Sequence, residues 1–208
     1  MTTLTLPDVR ADERDTSASQ WFTPPKLARR VASWACTNWL GDVDENVSTW
    51  TVLEPSAGDG ALLRALEAYI PRDRMWALDI DPRNVQALLG QSYQAECVDF
   101  LELEPAGHLD LMVMNPPYEK GQAEQHIVHA LRFAPRVIAI VPLTTLEGSS
   151  RLETLWSRVN LERLAICSTR PKFGTRAGQT AIAVVDITRG KRSGNPHASA
   201  CVSVEWWR

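Results

Sequence analysis

A tetrad of residues, Asn115-Pro116-Pro117-Tyr118, follows an apolar run at 109–114 and carries side chains suited to chemistry. The run predicts a buried strand of a parallel sheet. Two successive prolines cannot continue a strand ladder or enter a helix, so the strand must end in a stiff turn. Because open α/β sheets bind ligands at the carboxyl ends of their strands, we expect the tetrad to lie in a binding site.

The tetrad offers an amide side chain, a backbone carbonyl and an aromatic face, which an exocyclic amine on a planar ring requires. The lone pair of such an amine is delocalised and weakly nucleophilic until acceptors engage both hydrogens. The Asn115 side-chain oxygen and the Pro116 carbonyl are the predicted acceptors, and Tyr118 is predicted to stack on the ring. The alternative interpretation is a strand that ends in a proline-rich turn with a packed tyrosine.

Composition indicates one soluble globular domain. The 208 residues suffice for a sizeable core, and the net charge of −3 argues against a strongly basic nucleic-acid-binding surface. No apolar run reaches membrane-spanning length, and the N-terminus lacks the order of a signal peptide. The four cysteines are scattered without a CxxC pair, which favours a reducing cytoplasm without disulfides or zinc.

Two histidines, His126 and His129, share a predicted helix face, but no cysteine or carboxylate stands at complementary spacing. We therefore predict no metal site and expect a solvated helix face there.

The segment before the first helix contains Trp21-Phe22-Thr23-Pro24-Pro25. Thr23 is predicted as the N-cap of a helix over 25–39, and the two aromatic residues as a hydrophobic anchor ahead of it. Residues 1–19 are polar and charge-mixed, which predicts a flexible tail.

A short apolar strand ends in Glu54 and leads through a glycine turn, 55–60, into an amphipathic helix over 61–70. Strand, glycine turn and helix are the opening unit of a nucleotide-binding sheet. The turn is not GxGxxG, so a nicotinamide cofactor is disfavoured. An acid beside this turn suits a ligand with a positively charged amino-acid group.

Two further acids stand at predicted strand ends. Asp79 ends the second strand about twenty residues beyond the glycine turn, where a carboxylate binds both hydroxyls of a ribose. Asp99 and Phe100 follow the third strand and are predicted to contact the amino group and the face of an adenine. Asp81 is predicted to cap the next helix, with Pro82 in its first turn.

The remaining chain continues the alternation of helices and strands. The predicted elements are a helix over 122–133, a strand at 137–141, a helix to about 158, a strand at 164–167, a basic loop at 170–176 carrying Phe173, a strand at 181–185, a basic loop at 189–195 and an edge strand at 202–207.

Taken in order, these segments resemble class I S-adenosylmethionine-dependent N6-adenine DNA methyltransferases over residues 20–187. The resemblance is carried by the FTPP-type segment at 22–25, the turn LEPSAGDG at 53–60, DIDP at 79–82, Asp99-Phe100 and the tetrad. Segments 146–151 and 170–173 are similar more narrowly to phage and prophage members; the wider branch includes enzymes of restriction systems.

The resemblance implies a role for each matching residue. Catalytic roles fall to Asn115, Pro116, Pro117, Tyr118 and Phe173, with Phe173 stacking on the extruded base beside basic phosphate-binding flanks. S-Adenosylmethionine would be bound by Thr23, Glu54, Pro55, Ala57, Gly58, Gly60, Asp79, Ile80, Asp99, Phe100 and Asn115.

The resemblance also implies the architecture: a doubly wound, Rossmann-like α/β fold with a seven-stranded sheet, mostly parallel, whose last strand is antiparallel. We expect a single domain over 20–208 with a short C-terminal extension at 189–208. Because no separate target-recognition domain follows strand seven, sequence preference must come from 119–124, 142–151, 170–180 and 189–208.

The predicted function is direct in-line methyl transfer to adenine N6 in DNA after base flipping. RNA adenine and a protein glutamine amide remain open as acceptors, since the same tetrad serves any amine on an sp2 carbon. A non-catalytic cofactor- or nucleic-acid-binding module is the alternative from another class.

Overall fold

Eight strands form one mixed sheet, in a computed structural model that describes residues 21–37, 46–173, 181–189 and 202–207. The strands are β1 (Val52–Glu54), β2 (Met75–Asp79), β3 (Gln94–Cys97), β4 (Leu111–Met114), β5 (Arg136–Pro142), β6 (Val159–Cys167), β7 (Ile182–Arg189) and β8 (Ser203–Trp207). Their order across the sheet is β3-β2-β1-β4-β5-β7-β6-β8.

The sheet is parallel from β3 to β5, and β7 runs antiparallel between β5 and β6. This confirms the doubly wound α/β prediction with its antiparallel last strand. The sheet has eight strands rather than seven because β8 adds in parallel to the edge strand β6, as the alternating pattern at 202–207 predicted. The chain reverses sheet order between β1 and β4, so a crevice opens at the carboxyl ends of these strands.

The described residues form five α-helices. They are α1 (Pro25–Cys36), α2 (Ala61–Leu66), α3 (Pro82–Gly90), α4 (Gln122–Ala130) and α5 (Ser149–Arg151), which continues as a π-helical stretch over Leu152–Trp156. Asp81 caps α3 by accepting a hydrogen bond from the Arg83 backbone N–H at 2.9 Å, which confirms its predicted role.

Two buried clusters lie on opposite faces of the sheet. One joins α1 and α2 to alternate strand residues, with Val31, Leu62 and Val52 among its members. The other joins α4 to the intervening residues, such as Ile127 and Leu53. Successive strand residues point to opposite faces, so the apolar runs of β1 and β4 serve both clusters.

The start of α1 differs from the prediction. Its N-cap is Pro24, and no side chain makes the capping hydrogen bond, so Thr23 does not cap the helix. Pro25 in the first turn already lacks a backbone N–H, which reduces the need for a capping side chain. The helix ends at Cys36 rather than at residue 39, and residues 38–45 lie outside the described ranges.

Three more of the predicted segments lie wholly or partly outside the described residues. The expected tail at 1–19 and the basic loop at 190–195 are not described, nor are residues 174–180 of the loop that follows Phe173. None of the described helices has the length and apolar character needed to cross a bilayer.

Candidate active site

A cavity of about 340 Å3 opens in the crevice at the carboxyl ends of β1, β2 and β4. Most residues predicted to bind a cofactor or to act on an amine line this one cavity. They are Thr23, Glu54, Pro55, Ala57, Gly58, Asp79, Ile80, Asp99, Phe100, Asn115, Pro116 and Pro117. Gly60, Tyr118 and Phe173 are not among its lining residues.

The glycine turn after β1 owes its shape to two left-handed residues. Gly58 has φ 53° and Gly60 has φ 78°. Residues other than glycine rarely adopt this left-handed backbone conformation. A Cβ on Gly60 would lie 2.7 Å from a methyl group of Leu88, so this glycine permits close packing of α2 on α3. Gly60 thus serves helix packing in this structure and is not among the residues that line the cavity.

Glu54 is the buried acid of the cavity, with 2% of its surface exposed. Its Oε2 has no hydrogen-bond partner among the described residues. Burial, followed by the charges of Asp59 and Asp79, raises the pKa of this carboxyl well above its ordinary value. Because an unpaired buried carboxylate is costly, the site favours a cationic ligand group that would pair with it.

Asp79 fixes the glycine turn as well as lining the cavity. Its Oδ2 accepts a hydrogen bond from the Gly58 N–H at 2.7 Å. Its Oδ1 accepts bonds from the Asp81 N–H at 2.8 Å and the Asn84 side chain at 3.1 Å. Burial raises the pKa of this carboxyl, against the lowering effect of these donors. A carboxylate has about four acceptor positions and three of them are used here, so one remains for a ribose hydroxyl.

Asp99 and Phe100, which follow β3, form another part of the cavity wall. Asp99 accepts a hydrogen bond from the Leu101 N–H at 3.0 Å, which holds the loop that presents Phe100. His126 also lines the cavity, and its Nδ1 donates to the Gln122 carbonyl at 2.8 Å. Because a carbonyl cannot donate, this bond assigns the hydrogen to Nδ1 and leaves Nε2 as an acceptor when the ring is neutral.

The expectation of a solvated histidine face on α4 is wrong. His126 is 7% exposed and packs its ring on Phe100 at 5.7 Å between centroids. His129 meets Phe100 edge-on, with 4.8 Å between centroids and 78° between the ring planes. The two histidines, three residues apart on α4, therefore pack against Phe100 instead of forming a solvated face. Burial lowers the pKa of both histidines.

Around the tetrad, hydrogen bonds hold the corner rigid. The Asn115 side-chain N–H donates to the backbone carbonyl of Trp21 at 2.7 Å. The Tyr118 hydroxyl donates to Asn115 Oδ1 at 2.5 Å. Burial raises the pKa of Tyr118, so the phenol keeps its hydrogen and acts as a donor. The corner therefore presents a fixed amide oxygen at the edge of the cavity.

Tyr118 and Phe173, the two rings that the resemblance assigns to the acceptor base, lie close to each other. Their centroids are 6.4 Å apart and their planes are nearly perpendicular, at 86°. Trp21 contacts both rings at 5.7 Å. Phe173 is only 1% exposed in this arrangement, while its neighbours Arg170 and Lys172 are exposed.

No protein-family model matches the sequence. A type II methyltransferase from Thermus thermophilus is 35% identical over 112 residues, which cover 53% of this chain and 24% of that enzyme. A release factor glutamine methyltransferase from Burkholderia pseudomallei is 28% identical over 129 residues, covering 55% and 45%. The chain thus spans less than half the length of these relatives.

Solved structures match far more of the chain at low identity. A candidate RNA methyltransferase from Pyrococcus horikoshii superposes with a TM-score of 0.67 at 16% identity, covering 88% of this chain and 95% of that one. A candidate class I S-adenosylmethionine-dependent methyltransferase from Listeria monocytogenes gives 0.66 at 13%, covering 89% and 65%. The chain has the class I methyltransferase fold.

A third structure with this class I methyltransferase fold is the methyltransferase subunit of a type I restriction-modification system from Streptococcus thermophilus. It gives a TM-score of 0.61 at 14% identity and covers 88% of this chain and 47% of that one. These matches confirm the class I methyltransferase fold that the motif resemblance implied, and the Thermus relative is similar in sequence over 53% of this chain. Fold and relatives also support S-adenosylmethionine as the predicted cofactor, and the unpaired Glu54 oxygen fits its amino group.

Several cavity residues escaped the sequence reasoning. Trp21 and Phe22 line the cavity rather than only anchoring α1, and Asn84, Gln122 and His126 line it as well. The ring of Phe22 packs directly on Gly58, since a Cβ on Gly58 would lie 3.0 Å from it. The missing side chain of this glycine is what makes room for the ring. The described residues contain no cluster of three or more metal-ligating side chains.

Proposed function

We propose that the protein transfers a methyl group from S-adenosylmethionine to the exocyclic N6 amine of adenine in DNA. One observation carries the proposal: Asn115 and Pro116 line the same cavity as Glu54 and Asp79. The corner proposed to bind the amine and the turn proposed to bind the cofactor therefore line one cavity. Such proximity is the main requirement for transfer between two bound groups.

Different cavity residues would bind different parts of the cofactor. When bound, S-adenosylmethionine supplies a methyl group made electrophilic by its sulfonium. Glu54 would pair with its ammonium group and Asp79 with its ribose. Ile80 and Phe100 would pack on the two faces of its adenine, and Asp99 would accept from the adenine amino group.

Asn115 and Pro116 would activate the acceptor amine. An amide oxygen has two acceptor positions, and Tyr118 uses one of those on Asn115. The second position would accept one amine hydrogen, and the Pro116 carbonyl would accept the other. Pulling on both hydrogens localises the nitrogen lone pair, and the fixed dipoles would stabilise the developing positive charge.

No covalent enzyme–base intermediate is expected. The tetrad contains no cysteine that could attack a base. The raised pKa of Tyr118 keeps its phenol protonated at neutral pH, so this residue supplies no phenolate nucleophile either. These residues support direct transfer to the amine, with rate acceleration from positioning and electrostatics.

An aromatic acceptor fits the surroundings better than an aliphatic amide. Trp21, Tyr118 and Phe173 form a ring cluster beside Asn115, and base–aromatic stacking is worth about 1–3 kcal/mol per base. Exposed Arg170 and Lys172 flank Phe173 and suit phosphate contacts. An adenine inside a duplex would have to be flipped out, at a cost of a few kcal/mol.

The choice of DNA draws on the FTPP-type segment before the glycine turn and on the Thermus type II methyltransferase. The match to a release factor glutamine methyltransferase supports a glutamine amide as a second candidate acceptor. Both acceptors present an amine on an sp2 carbon, so the tetrad alone does not separate them.

The deciding experiment offers several acceptors in parallel. The protein would be incubated with methyl-labelled cofactor and, separately, unmethylated duplex DNA, single-stranded DNA, RNA and release factor. After digestion, we expect label in N6-methyladenine from DNA, and none with Asn115→Ala. Label confined to RNA or to glutamine would contradict the DNA proposal, and no label in any acceptor would contradict catalysis itself.

A further inference from the structure

Trp21 packs against both of the rings predicted to bind the acceptor base, in a space called here the acceptor slot. Its indole lies 5.7 Å from Tyr118 and 5.7 Å from Phe173 between centroids, tilted by 52° and 58°. Tilted aromatic pairs at this separation are favourable contacts beyond their buried area. The indole is therefore held by both partners rather than resting against one wall.

The slot as it stands has no room for a further ring. Two parallel rings that sandwich a base must be about 7 Å apart, twice a carbon–carbon contact distance of about 3.5 Å. Tyr118 and Phe173 are 6.4 Å apart and perpendicular. A base could stack on them only if Trp21 moves out and Phe173 or Tyr118 turns.

Trp21 is also tied to the amide that would hold the acceptor. Its backbone carbonyl accepts the Asn115 side-chain hydrogen bond at 2.7 Å. The adjacent Phe22 lies on the glycine turn, with its ring 3.0 Å from where a Cβ of Gly58 would be. Two consecutive residues thus cover the predicted acceptor slot and the cofactor turn, and both line the cavity.

We propose that Trp21 is a placeholder for the acceptor base: its indole occupies the slot beside Tyr118 and Phe173, and the base enters by displacing it. The proposal rests on the proposed function, since it takes this slot as the acceptor site. Indole is a fused six- and five-membered ring, the shape of a purine. The slot is therefore of a size that a purine fills.

Displacement makes Trp21 a specificity-determining residue. An entering group must replace two aromatic contacts that the indole gives up. A purine presents a bicyclic face and restores both contacts; a cytosine ring restores less, and a glutamine amide has no aromatic face. Trp21 should therefore favour adenine over the other amines that the tetrad could accept.

Binding of isolated acceptor groups tests the placeholder directly. Wild type, Trp21→Ala and Trp21→Phe would be titrated with 9-methyladenine, 1-methylcytosine and N-acetylglutamine amide, each with S-adenosylhomocysteine present. Trp206→Ala is the matched control, because Trp206 is 66% exposed on β8. Binding would be followed by NMR of 15N-labelled tryptophan indoles, with the Trp21 signal assigned from its loss in Trp21→Phe.

We expect 9-methyladenine to shift the Trp21 indole signal strongly in wild type, and the other two compounds to shift it little. Removing the competitor should tighten 9-methyladenine binding about tenfold in Trp21→Ala and less in Trp21→Phe, with Trp206→Ala unchanged. Discrimination against 1-methylcytosine should fall in Trp21→Ala. Thermal melting of each variant checks folding, and Trp21→Phe keeps a ring in place if the alanine variant melts early.

Weaker or unchanged 9-methyladenine binding in Trp21→Ala would overturn the proposal, since it would make Trp21 a fixed wall. An unmoved Trp21 signal at saturating 9-methyladenine would overturn it too. The methyl-transfer assay separates the two proposals. Methylation of DNA adenine by wild type with no gain in the variant refutes only the placeholder. Label in glutamine alone refutes the adenine function as well.

Discussion

The phenolic oxygen of Tyr118 lies 2.5 Å from Oδ1 of Asn115 and donates its hydrogen to it. The two residues are three apart in the sequence, and the rigid Pro116-Pro117 corner between them brings their side chains back together. The bond orients the amide, so its oxygen faces Tyr118 and its N–H faces Trp21. An asparagine amide can otherwise lie in either of two orientations related by a 180° flip. Here the partners of its oxygen and of its nitrogen select one of them.

Substitutions at Tyr118 should separate the hydroxyl from the ring. Tyr118→Phe removes one hydrogen bond and keeps the stacking face, so single-turnover methylation should slow by no more than about tenfold. Tyr118→Ala removes both and should slow it by about a hundredfold or more. Equal losses in the two variants would mean that the hydroxyl, rather than the ring, carries the role of this residue.

Asn115→Ala should abolish turnover and spare the cofactor. Loss of one preorganised polar group at a reacting centre costs about 10²–10³ in rate, and Asn115 is the proposed acceptor of an amine hydrogen. Cofactor affinity, measured by calorimetry, should change less than about threefold because Glu54 and Asp79 remain. Asn160→Ala, on β6, is the matched control. Comparable losses of turnover and affinity would contradict the assigned role.

Asp79→Ala should weaken cofactor binding chiefly through the glycine turn. The variant loses a proposed ribose acceptor and also the 2.7 Å bond that holds the Gly58 N–H. We expect a rise in the dissociation constant of about 10- to 100-fold, since hydrogen bonds to charged groups are worth about 1.5–3 kcal/mol each. Asn84→Ala, which removes only one donor to Asp79, should have a smaller effect. An unchanged dissociation constant in Asp79→Ala would show that this carboxylate does not bind the cofactor.

Glu54 should make the ligand-free protein less stable as the pH rises. Burial raises the pKa of its carboxyl above the ordinary value of 4.5, so the folded chain holds a proton that the unfolded chain has released. The free energy of unfolding must then fall between pH 4.5 and the raised pKa. Denaturant titrations of Glu54→Gln should show a smaller loss between about pH 5 and about pH 8 than wild type.

The same variant should lose its thermal stabilisation by S-adenosylmethionine, because an amide cannot pair with the ammonium group. Exposed Glu153 offers the control, and Glu153→Gln should keep both the wild-type pH slope and the stabilisation. A wild-type slope in Glu54→Gln would show that another buried group causes the pH dependence.

Strand ends were predictable from the sequence because the chemistry there is local. Each acid at a strand end follows an apolar run, and parallel strands bring their carboxyl ends to one edge. This is why Glu54, Asp79, Asp99 and Asn115 were found and do line one cavity.

Contacts between distant segments were not predictable in this way. Trp21 meets Asn115 across 94 positions, and no local pattern marks that pairing. The first half of β6 was missed for a related reason. Polar residues such as Asn160 and Arg163 interrupt its apolar pattern, although Arg163 is only 3% exposed. Its burial becomes favourable only when a partner from another strand is present.

That partner is Asp186 on β7, which is fully buried between two arginines. Arg136 donates to its two oxygens at 3.0 and 2.9 Å, and Arg163 donates to Oδ2 at 2.8 Å. The same arginines donate to backbone carbonyls in the last turn of α1, those of Ala35 at 3.0 Å and Trp34 at 2.8 Å. Three strands and the first helix are joined by this network.

Asp186→Ala should therefore be among the most destabilising single changes in the protein. It leaves two buried guanidinium groups without their counter-charge, and breaking such a pair costs about 3–5 kcal/mol. The negative end of the α1 dipole offsets only part of that cost. Chemical denaturation should show the loss, whereas Glu104→Ala, which breaks the exposed pair with Arg132, should cost about 0–1 kcal/mol. Because α1 carries the Trp21-Phe22 segment, a loss near 1 kcal/mol for Asp186→Ala would mean that packing, rather than this network, holds the helix against the sheet.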